Sequence, residues 1–280
     1  GSAPRHLLHI FPSFAVGGVQ NNIIQVVNML HRKFRHTIVA IDGNFEAAQG
    51  LKGELDIAFE TVPMRKTAFL SISNIWRSRF VLQRLRPNLM LTYNWGATEW
   101  ALADRLPSLC PHIHFESGFG PDESQKDQNW RRVLARRVLL SRCKHIVVPS
   151  IALRDLAIGV WRMSRERVLY LPNGIDCLRF AVATDPAVLA ALAIPDGVPV
   201  IGTVAVLRRE KNLIRLLRVF ATVPRELGAR LVIVGDGPER SSLKAAAADA
   251  DIADRVIFAG HQTDPSRIVG RFTVFALTSD

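Results

Sequence analysis

The chain has 280 residues, of which 48% are hydrophobic, and it carries a formal net charge of +11. This length leaves room for two domains of ordinary size, and the hydrophobic content excludes a disordered chain. The positive charge favours an anionic partner, but charge alone does not choose among a nucleic acid, an anionic membrane surface and a phosphorylated small molecule.

The cysteines and the hydropathy indicate the compartment. Cys110, Cys143 and Cys177 are odd in number, widely spaced and without a C-x-x-C pair, which fits a reducing compartment rather than disulfides or structural zinc. No hydrophobic run approaches the roughly 18 residues of a membrane span, and the first residues lack a signal-peptide profile. We therefore expect a cytoplasmic protein, with peripheral attachment to the inner face of the cell membrane left open.

The first predicted strand and helix enclose a glycine pair. A hydrophobic run over 7–11 predicts a buried strand, and apolar residues spaced three and four apart over 23–30 predict a helix. Between them, Gly17 and Gly18 lack side chains, so their backbone N–H groups can approach a diphosphate at the helix N-terminus. A tight turn explains the pair equally well. The spacing is not G-x-G-x-x-G, which argues against a dehydrogenase.

Polar and aromatic residues end two further strands. Strands are predicted over 36–41, 57–63, 89–93 and 112–116, with helices over 72–85 and 98–106. Asn94 and Trp95 follow the third of these strands, either as ligand contacts or as a helix cap and a packing ring. Alternation puts His112, His114 and Glu116 on one face of the fourth, where a histidine beside a carboxylate can relay a proton or can be purely structural.

Two later segments have features of a functional surface. The glycine-rich polar segment 118–128 is predicted to be a mobile substrate lid. The helix 130–142 places arginines among apolar residues, a basic amphipathic pattern. This pattern is typical of a helix on an anionic membrane or beside an acidic acceptor, and also of an ordinary solvated face.

The second half repeats the strand–loop–helix pattern after a change in composition. The aperiodic Ala-, Asp- and Pro-rich residues 179–198 are predicted to link a domain over 3–178 to a domain over 199–280. Asp249 and Asp251 form a nominal D-x-D, but we expect both to face solvent and predict no metal site.

Predicted strand ends of the second domain carry candidate ligand groups. In open α/β sheets, ligands bind outside the carboxyl ends of the strands, and cations there suit a phosphate. The groups are Arg208, Arg209 and Lys211 after the run from Ile201, G-D-G-P from Gly235, and Gly260, His261 and Gln262. Solvated helix-start charges and tight turns are the alternative interpretations.

Five motifs occur in an order typical of one enzyme class. They are G-G-V-Q from Gly17, L-P-N-G-I-D from Leu171, V-A-V-L-R-R-E-K-N from Val204, L-V-I-V-G-D-G-P-E-R from Leu231 and V-I-F-A-G from Val256. Together they resemble retaining glycosyltransferases of family 4, which have the GT-B fold. The resemblance implies an α/β architecture of two Rossmann-like parallel-sheet domains facing a cleft, with a nucleotide-sugar donor held mainly by the second domain.

The resemblance also implies site residues. Lys211 matches the family's diphosphate-binding lysine, whereas Val206 occupies the usual arginine position, and we expect Arg208 to substitute because alternate strand residues share a face. His114 matches the cleft histidine and is the predicted catalytic residue. Further predicted contacts are Gly17 and Gly18 with the diphosphate, Gly260, His261 and Gln262 with the base, and Asn94, Trp95 and Glu116 with the acceptor or sugar.

The implied chemistry needs no metal or other cofactor. A UDP- or GDP-sugar is the expected substrate, and cations and helix dipoles would stabilise the departing nucleoside diphosphate. The leaving phosphate would help to deprotonate the acceptor on the same face, with retention. A glycan or a lipid-linked molecule is the expected acceptor, in bacterial surface polysaccharide assembly. We expect no nucleic-acid partner, since no nucleic-acid module is recognised.

One family element has no counterpart here. Family members follow the strand matching 272–279 with an E-x7-E element that contacts the donor sugar and ribose, whereas this chain ends at Asp280. We therefore expect an incomplete second domain, weak or absent catalysis by these 280 residues, and an exposed apolar edge near Phe272, Val274 and Phe275. Two alternatives stay open, a catalytically inactive nucleotide-sugar binder and a GT-B nucleotide-sugar 2-epimerase.

Overall fold

Two parallel β-sheets, one in each half of the chain, organise the computed structural model. It describes residues 4–30, 33–64, 71–105, 107–118, 128–181, 184–262 and 264–279. The chain divides into a first unit, Gly1–Ile175, and a second unit, Asp176–Asp280. The described strand pairs are all parallel, and an α-helix or a 3-10 helix lies between successive strands along the chain. The prediction of an α/β protein with two Rossmann-like domains is therefore confirmed.

The first unit is built on a seven-stranded sheet of order β3-β2-β1-β4-β5-β6-β7. Its strands and helices are β1 (Arg5–Phe11), α1 (Gly18–Leu30), β2 (Phe34–Ala40), β3 (Ile57–Thr61), α2 (Ile72–Leu85), β4 (Leu89–Tyr93), α3 (Trp100–Ala103), β5 (His112–Phe115), α4 (Trp130–Leu139), β6 (His145–Val148), α5 (Ile151–Gly159) and β7 (Val168–Tyr170). The chain runs outward from β1 to β3 and then returns to β4 on the other side of β1. The carboxyl ends of β1 and β4 therefore flank a topological switch point, where such sheets bind ligands.

Helices cover both faces of this sheet. The register aligns Ile10, Thr92, His114 and Ile146 across β1, β4, β5 and β6, so these four side chains lie on one face. Ile10 packs in a core cluster with α2 and α3, and Ile146 packs in a cluster with α4 and α5. One face of the sheet therefore carries α2 to α5, and α1 packs on the opposite face through a separate cluster.

The second unit has a four-stranded sheet of order β10-β9-β8-β11. Its elements are α6 (Cys177–Phe180), α7 (Pro186–Ala191), β8 (Val200–Val204), α8 (Leu213–Ala221), β9 (Arg230–Val234), α9 (Arg240–Asp249), β10 (Val256–Gly260), α10 (Ser266–Val269) and β11 (Val274–Phe275). Helices α8 and α9 share one core cluster, and α7 and α10 share another. Asp249 and Asp251 are exposed, as predicted.

The residues predicted to form the linker belong to the second unit. The division falls after Ile175, whereas the sequence predicts that the first domain ends at residue 178. Within 179–198, helix α7 places Val188 and Leu189 against the core beneath Val200. The absence of a clear period was misleading because α7 is too short to show one.

The edge strand β11 exposes apolar side chains, as the sequence predicts. Val274 and Phe275 are 52% and 46% exposed. Phe272 is half-buried and packs against the core that contains Val200. The predicted apolar edge is therefore confirmed at Val274 and Phe275 and only partly at Phe272.

Candidate functional site

Three loops of the second unit meet at the carboxyl edge of its sheet. The Leu207 N–H donates to the Asp236 carbonyl at 3.0 Å, and the Glu239 N–H donates to the Leu207 carbonyl at 3.0 Å, which joins the loops after β8 and β9. The Gly235 N–H donates to the Gly260 carbonyl at 2.8 Å, which adds the end of β10. The structure thus brings the three motifs predicted for donor binding to one edge.

Arg208 reaches the surface by a different route from the one predicted. Strand β8 ends at Val204, so Val206 and Arg208 do not alternate along a strand. Instead, the Arg208 N–H donates to the Val206 carbonyl at 2.8 Å in a tight turn. Both side chains are exposed, and Leu207 between them is buried. The predicted strand alternation between Val206 and Arg208 is therefore wrong, although the Arg208 side chain is exposed as predicted.

A depression of about 330 Å³ lies beside this turn. Its lining includes Arg208, Arg209, Asn212 and Glu239. Lys211 is half-buried and ends a short 3-10 turn, where its carbonyl accepts a hydrogen bond from the Thr278 hydroxyl at 3.1 Å. The two guanidinium groups of the lining are hydrogen-bond donors that suit a phosphate, and Glu239 is the residue of opposite charge in the same lining.

The glycine loop after β9 is held close to the loop after β8. Gly235 has φ +132°, and a Cβ there would lie 1.9 Å from the Ala205 carbonyl oxygen. Gly235→Ala should therefore destabilise the second unit by about 1–3 kcal/mol from backbone strain alone. Thermal unfolding followed by circular dichroism measures the change. Gly174→Ala is the control, because a Cβ at Gly174 meets nothing within 4 Å. Equal unfolding temperatures for the two variants would contradict the prediction.

The end of β10 gives a mixed result for the predicted base contacts. Gly260 has φ +68° and its carbonyl is used by Gly235. His261 is exposed, whereas the Gln262 amide nitrogen donates to the Ala259 carbonyl at 2.9 Å. His261 is therefore the more accessible of the two predicted side chains, and the assignment of a base contact stays a prediction.

In the first unit, loops after β1, β4 and β5 come together at the switch point. Asn94 has φ +58°, and its side-chain oxygen accepts a hydrogen bond from the Ser117 N–H at 3.0 Å. A Cβ at Gly96 would lie 2.8 Å from Cγ of Pro12, so these loops are in close contact. The Asn94 side chain thus links the end of β4 to the chain beyond β5. The sequence predicts that Asn94 contacts the acceptor or sugar, and in the structure its side-chain oxygen has this structural role.

The glycine pair opens α1 as predicted. Helix α1 begins at Gly18, and a Cβ there would meet nothing within 4 Å. A Cβ at Gly17 would lie 2.7 Å from the side-chain oxygen of Gln20. Gly18 therefore leaves open space beside the first turn of α1, whereas Gly17 is covered by Gln20.

A buried ion pair lies just beyond β5. Oε2 of Glu116 is 3.3 Å from Nε of Arg136 and 3.6 Å from Nε2 of His114, and these three side chains are at most 1% exposed. The guanidinium of Arg136 also lies over the rings of Trp95 and Trp161, 5.1 Å and 4.7 Å from their centroids. Charge pairing and cation–π contacts together fix Trp95 and the Glu116 carboxylate at this edge.

His114 is one member of a buried hydrogen-bond chain. The Thr92 hydroxyl lies 2.8 Å from Nδ1 of His114 and 2.7 Å from Nε2 of His112, and Nδ1 of His112 lies 3.1 Å from Sγ of Cys143. Burial, and secondarily the neighbouring His114, lowers the pKa of His112 to about 3. Because His114 has no exposed surface, it does not touch a substrate in this conformation. Its place beside Glu116 fits a positioning role.

Residues 119–127 of the predicted lid are outside the described residues. Within the described part of the chain, no group of three or more His, Cys, Asp or Glu side chains is arranged to hold a metal ion. Among these same residues, no helix combines the length and hydrophobicity that crossing a bilayer requires.

Comparison with known proteins identifies the family. The family model for glycosyltransferase family 4 matches residues 16–179, and the model for glycosyl transferases group 1 matches residues 186–280. The chain belongs to glycosyltransferase family 4, and its α/β architecture is that of the GT-B fold.

Individual relatives agree with this assignment. Glycosyltransferase EpsF of Bacillus subtilis is 31% identical over 193 residues, which cover 64% of this chain and 48% of that protein. A GDP-mannose-dependent alpha-mannosyltransferase of Mycobacterium tuberculosis is 36% identical over 136 residues, covering 47% of this chain and 32% of that protein. The chain thus spans about half or less of the length of these curated relatives.

Solved structures share the fold at low sequence identity. HepE of Anabaena, solved in complex with UDP, superposes with a TM-score of 0.76 at 17% identity, covering 98% of this chain and 74% of that one. A glycosyltransferase from Rickettsia africae gives a TM-score of 0.75 at 14% identity, covering 99% and 73%. At these identities the likeness shows the fold alone.

Proposed function

We propose that the protein is a retaining hexosyltransferase that moves a sugar from a UDP- or GDP-sugar to a glycan or lipid-linked acceptor in bacterial surface polysaccharide assembly. The observation that carries this proposal is the basic depression of about 330 Å³ lined by Arg208 and Arg209, beside the joined loops after β8 and β9. Family membership supports the reaction class, and the UDP complex of HepE supports a nucleotide in a site of this architecture.

The cationic residues of the second unit have the leading chemical role in this proposal. Arg208, which lines the depression, and Lys211, which ends the 3-10 turn that Arg209 begins, bind the donor diphosphate and stabilise the negative charge that develops on it as the bond to the sugar breaks. The acceptor hydroxyl proton passes to the departing phosphate while the new glycosidic bond forms on the same face of the sugar, which retains its configuration. Because side chains supply the positive charge, the scheme uses no metal ion.

The first unit supplies the proposed acceptor side. Trp95 offers a ring for a sugar face, and the buried Glu116 carboxylate pairs with Arg136, whose guanidinium lies over that ring. A lipid-linked acceptor also implies peripheral contact with an anionic membrane at the inner face of the cell. One relative is named as an alpha-monoglucosyldiacylglycerol synthase of Streptococcus pneumoniae, and this name, which specifies a glycolipid, supports a lipid-linked acceptor.

Calorimetric titration of the purified chain with UDP and with GDP tests the donor site. We expect binding of at least one nucleotide, weakened about tenfold or more by Arg208→Ala or Lys211→Ala, because each removes a charge-assisted hydrogen bond to phosphate. Arg218→Ala is the matched control, since it removes the same charge from the exposed end of α8, and it should change the Kd less than about twofold.

Three results would contradict the proposal. One is the absence of nucleotide binding together with tight oligonucleotide binding at physiological salt, which indicates a nucleic-acid partner. The second is equal weakening by all three variants, which indicates a general effect of net charge. The third is conversion of the donor sugar to its 2-epimer without transfer, which indicates an epimerase.

A further inference from the structure

Helix α2 exposes a line of large apolar side chains. Ile72, Trp76 and Phe80 follow one another at intervals of four residues and are 73%, 67% and 66% exposed. The opposite side of the helix, which includes Val81 and Leu82, is buried against the sheet. Single exposed apolar residues are ordinary on protein surfaces, but three in line on one helix face form a patch that calls for a partner.

Helix α4 has a second line with the same spacing. Trp130, Leu134 and Val138 are 68%, 52% and 48% exposed. The inward side of α4 carries Val133 and Leu139, which are buried. Each helix therefore has two apolar faces, and the core uses only one of them.

The two lines lie in the same helix layer of the first unit. The strand register places α2 to α5 on one face of the sheet, with α3 between α2 and α4. Two arginines tie these helices together: Arg79 on α2 donates to the Ala103 carbonyl of α3 at 2.8 Å, and Arg105 donates to the Leu139 carbonyl of α4 at 3.2 Å. We call the six exposed apolar residues of α2 and α4 the α2–α4 surface.

The helices α2 and α4 themselves carry charges of one sign, although Arg84 of α2 pairs with Glu60 and the Asn74 amide of α2 donates to the Glu99 carboxylate. The sequences of α2 and α4, ISNIWRSRFVLQRL and WRRVLARRVL, contain arginines but no aspartate or glutamate. Arg77 and Arg137 are both exposed on these helices. Protein surfaces that insert into the interfacial region of anionic bilayers are typically rich in tryptophan and phenylalanine next to arginine.

We propose that the α2–α4 surface docks the protein on an anionic lipid bilayer, with Trp76, Phe80 and Trp130 inserted at the headgroup level. This inference deepens the proposed function, since it gives the surface on which a lipid-linked acceptor is met. A second copy of the chain fits less well, because a two-fold contact through this surface would set the arginines of α2 and α4 against one another.

Vesicle co-sedimentation without any nucleotide tests the inference, so its failure is distinct from failure of the donor site. We expect binding to phosphatidylcholine vesicles that contain about one third phosphatidylglycerol, and little binding to pure phosphatidylcholine. Trp76→Ser with Phe80→Ser should weaken binding about tenfold or more, as should Trp130→Ser with Leu134→Ser, because each pair loses its inserted apolar area. All these side chains are exposed, and circular dichroism verifies that each variant is folded.

Met29 provides a matched control. It is 81% exposed on α1, which packs on the opposite face of the same sheet, so Met29→Ser should leave vesicle binding unchanged. Arg77→Gln with Arg137→Gln should reduce the preference for anionic vesicles. The proposal is overturned if vesicles are not bound, if Met29→Ser weakens binding as much as the tryptophan variants do, or if the tryptophan variants abolish a dimer instead.

Discussion

Replacing Arg136 by methionine should lower the free energy of unfolding of the first unit by about 3–5 kcal/mol, because the substitution removes the cation from a buried carboxylate. Both Arg136 and Glu116 are 1% exposed, and their Nε and Oε2 atoms lie 3.3 Å apart. In the variant, the Glu116 carboxylate is still shielded from water but has lost the cation that pairs with it. Nε2 of the neighbouring His114 lies 3.6 Å from this carboxylate.

Urea unfolding followed by tryptophan fluorescence measures this change in the first unit alone. All five tryptophans of the chain lie between residues 76 and 161, within Gly1–Ile175, so the second unit contributes no tryptophan signal. Arg137→Met is the control. Arg137 is the next residue of α4, is exposed, and donates to the Val160 carbonyl at 2.7 Å, so its loss should cost less than about 1 kcal/mol.

The double substitution of Arg136→Met with Glu116→Leu separates lost charge pairing from lost packing. Replacing both members of a buried pair by apolar side chains is often close to neutral, so the double variant should recover most of the stability lost by Arg136→Met alone. If the double variant is as unstable as Arg136→Met, the stability comes from the packing of Arg136 against Trp95 and Trp161, and the ion-pair account is wrong.

Arg136 also shows how far the sequence predicts this site. The local pattern groups it with the other arginines of a basic amphipathic helix, yet it lies three residues from both Val133 and Leu139, on the buried side of α4. That spacing was a usable signal. Its partner Glu116 follows β5, and a pairing between distant elements leaves no local pattern that a single sequence can reveal.

The helix α2 illustrates a second limit. Its period and its end before Pro87 predict the helix over 72–85, and the structure has α2 at Ile72–Leu85. Which side of the helix faces the core is a different question, because Ile75, Trp76, Phe80, Val81 and Leu82 surround most of its circumference. Only the tertiary packing shows that Trp76 and Phe80 are left outside.

The strand-end loops were the most predictable part of the site. Short β-branched runs followed by glycines or cations place β8, β9 and β10 and the loops after them, because both signals are local. The turn that exposes Arg208 was not predictable in the same way. It depends on the contact of Leu207 with Asp236 and Glu239, which lie about 30 residues further along the chain.

Acidification should destabilise the first unit steeply between pH 6.5 and pH 3, because the folded first unit buries histidine side chains in their neutral form. Desolvation by burial, and secondarily the neighbouring histidines, lowers the pKa of His9 to about 3. The pKa of His112 is lowered to about 3 in the same way. Their unfolded value is 6.5, so the unfolded chain binds the protons first as the pH falls. The stability from neutral histidine is thus fully present above pH 6.5 and is lost below it, at about 1.4 kcal/mol per pH unit for each histidine.

Between pH 7.5 and pH 5, the two histidines together should account for about 4 kcal/mol of lost stability. Nδ1 of His9 lies 3.0 Å from the Tyr93 hydroxyl and its Nε2 lies 3.0 Å from Nδ1 of His36, so His9→Gln keeps a polar side chain in the network while removing the titration. His9→Gln and His112→Gln should each reduce the difference in unfolding free energy between the two pH values by about 2 kcal/mol.

Tryptophan-detected urea unfolding at pH 7.5 and pH 5 gives this difference directly for the first unit. Ser78→Ala serves as the control, because Ser78 is fully buried on α2 and does not titrate, so its effect should be equal at both pH values. If the glutamine variants lower the stability equally at both pH values, as Ser78→Ala should, then His9 and His112 do not drive the acid transition. A smaller difference in each histidine variant, additive in the double variant, would establish that burial of these two neutral rings contributes to the acid transition, beside His6 and His36, whose pKa values burial also lowers.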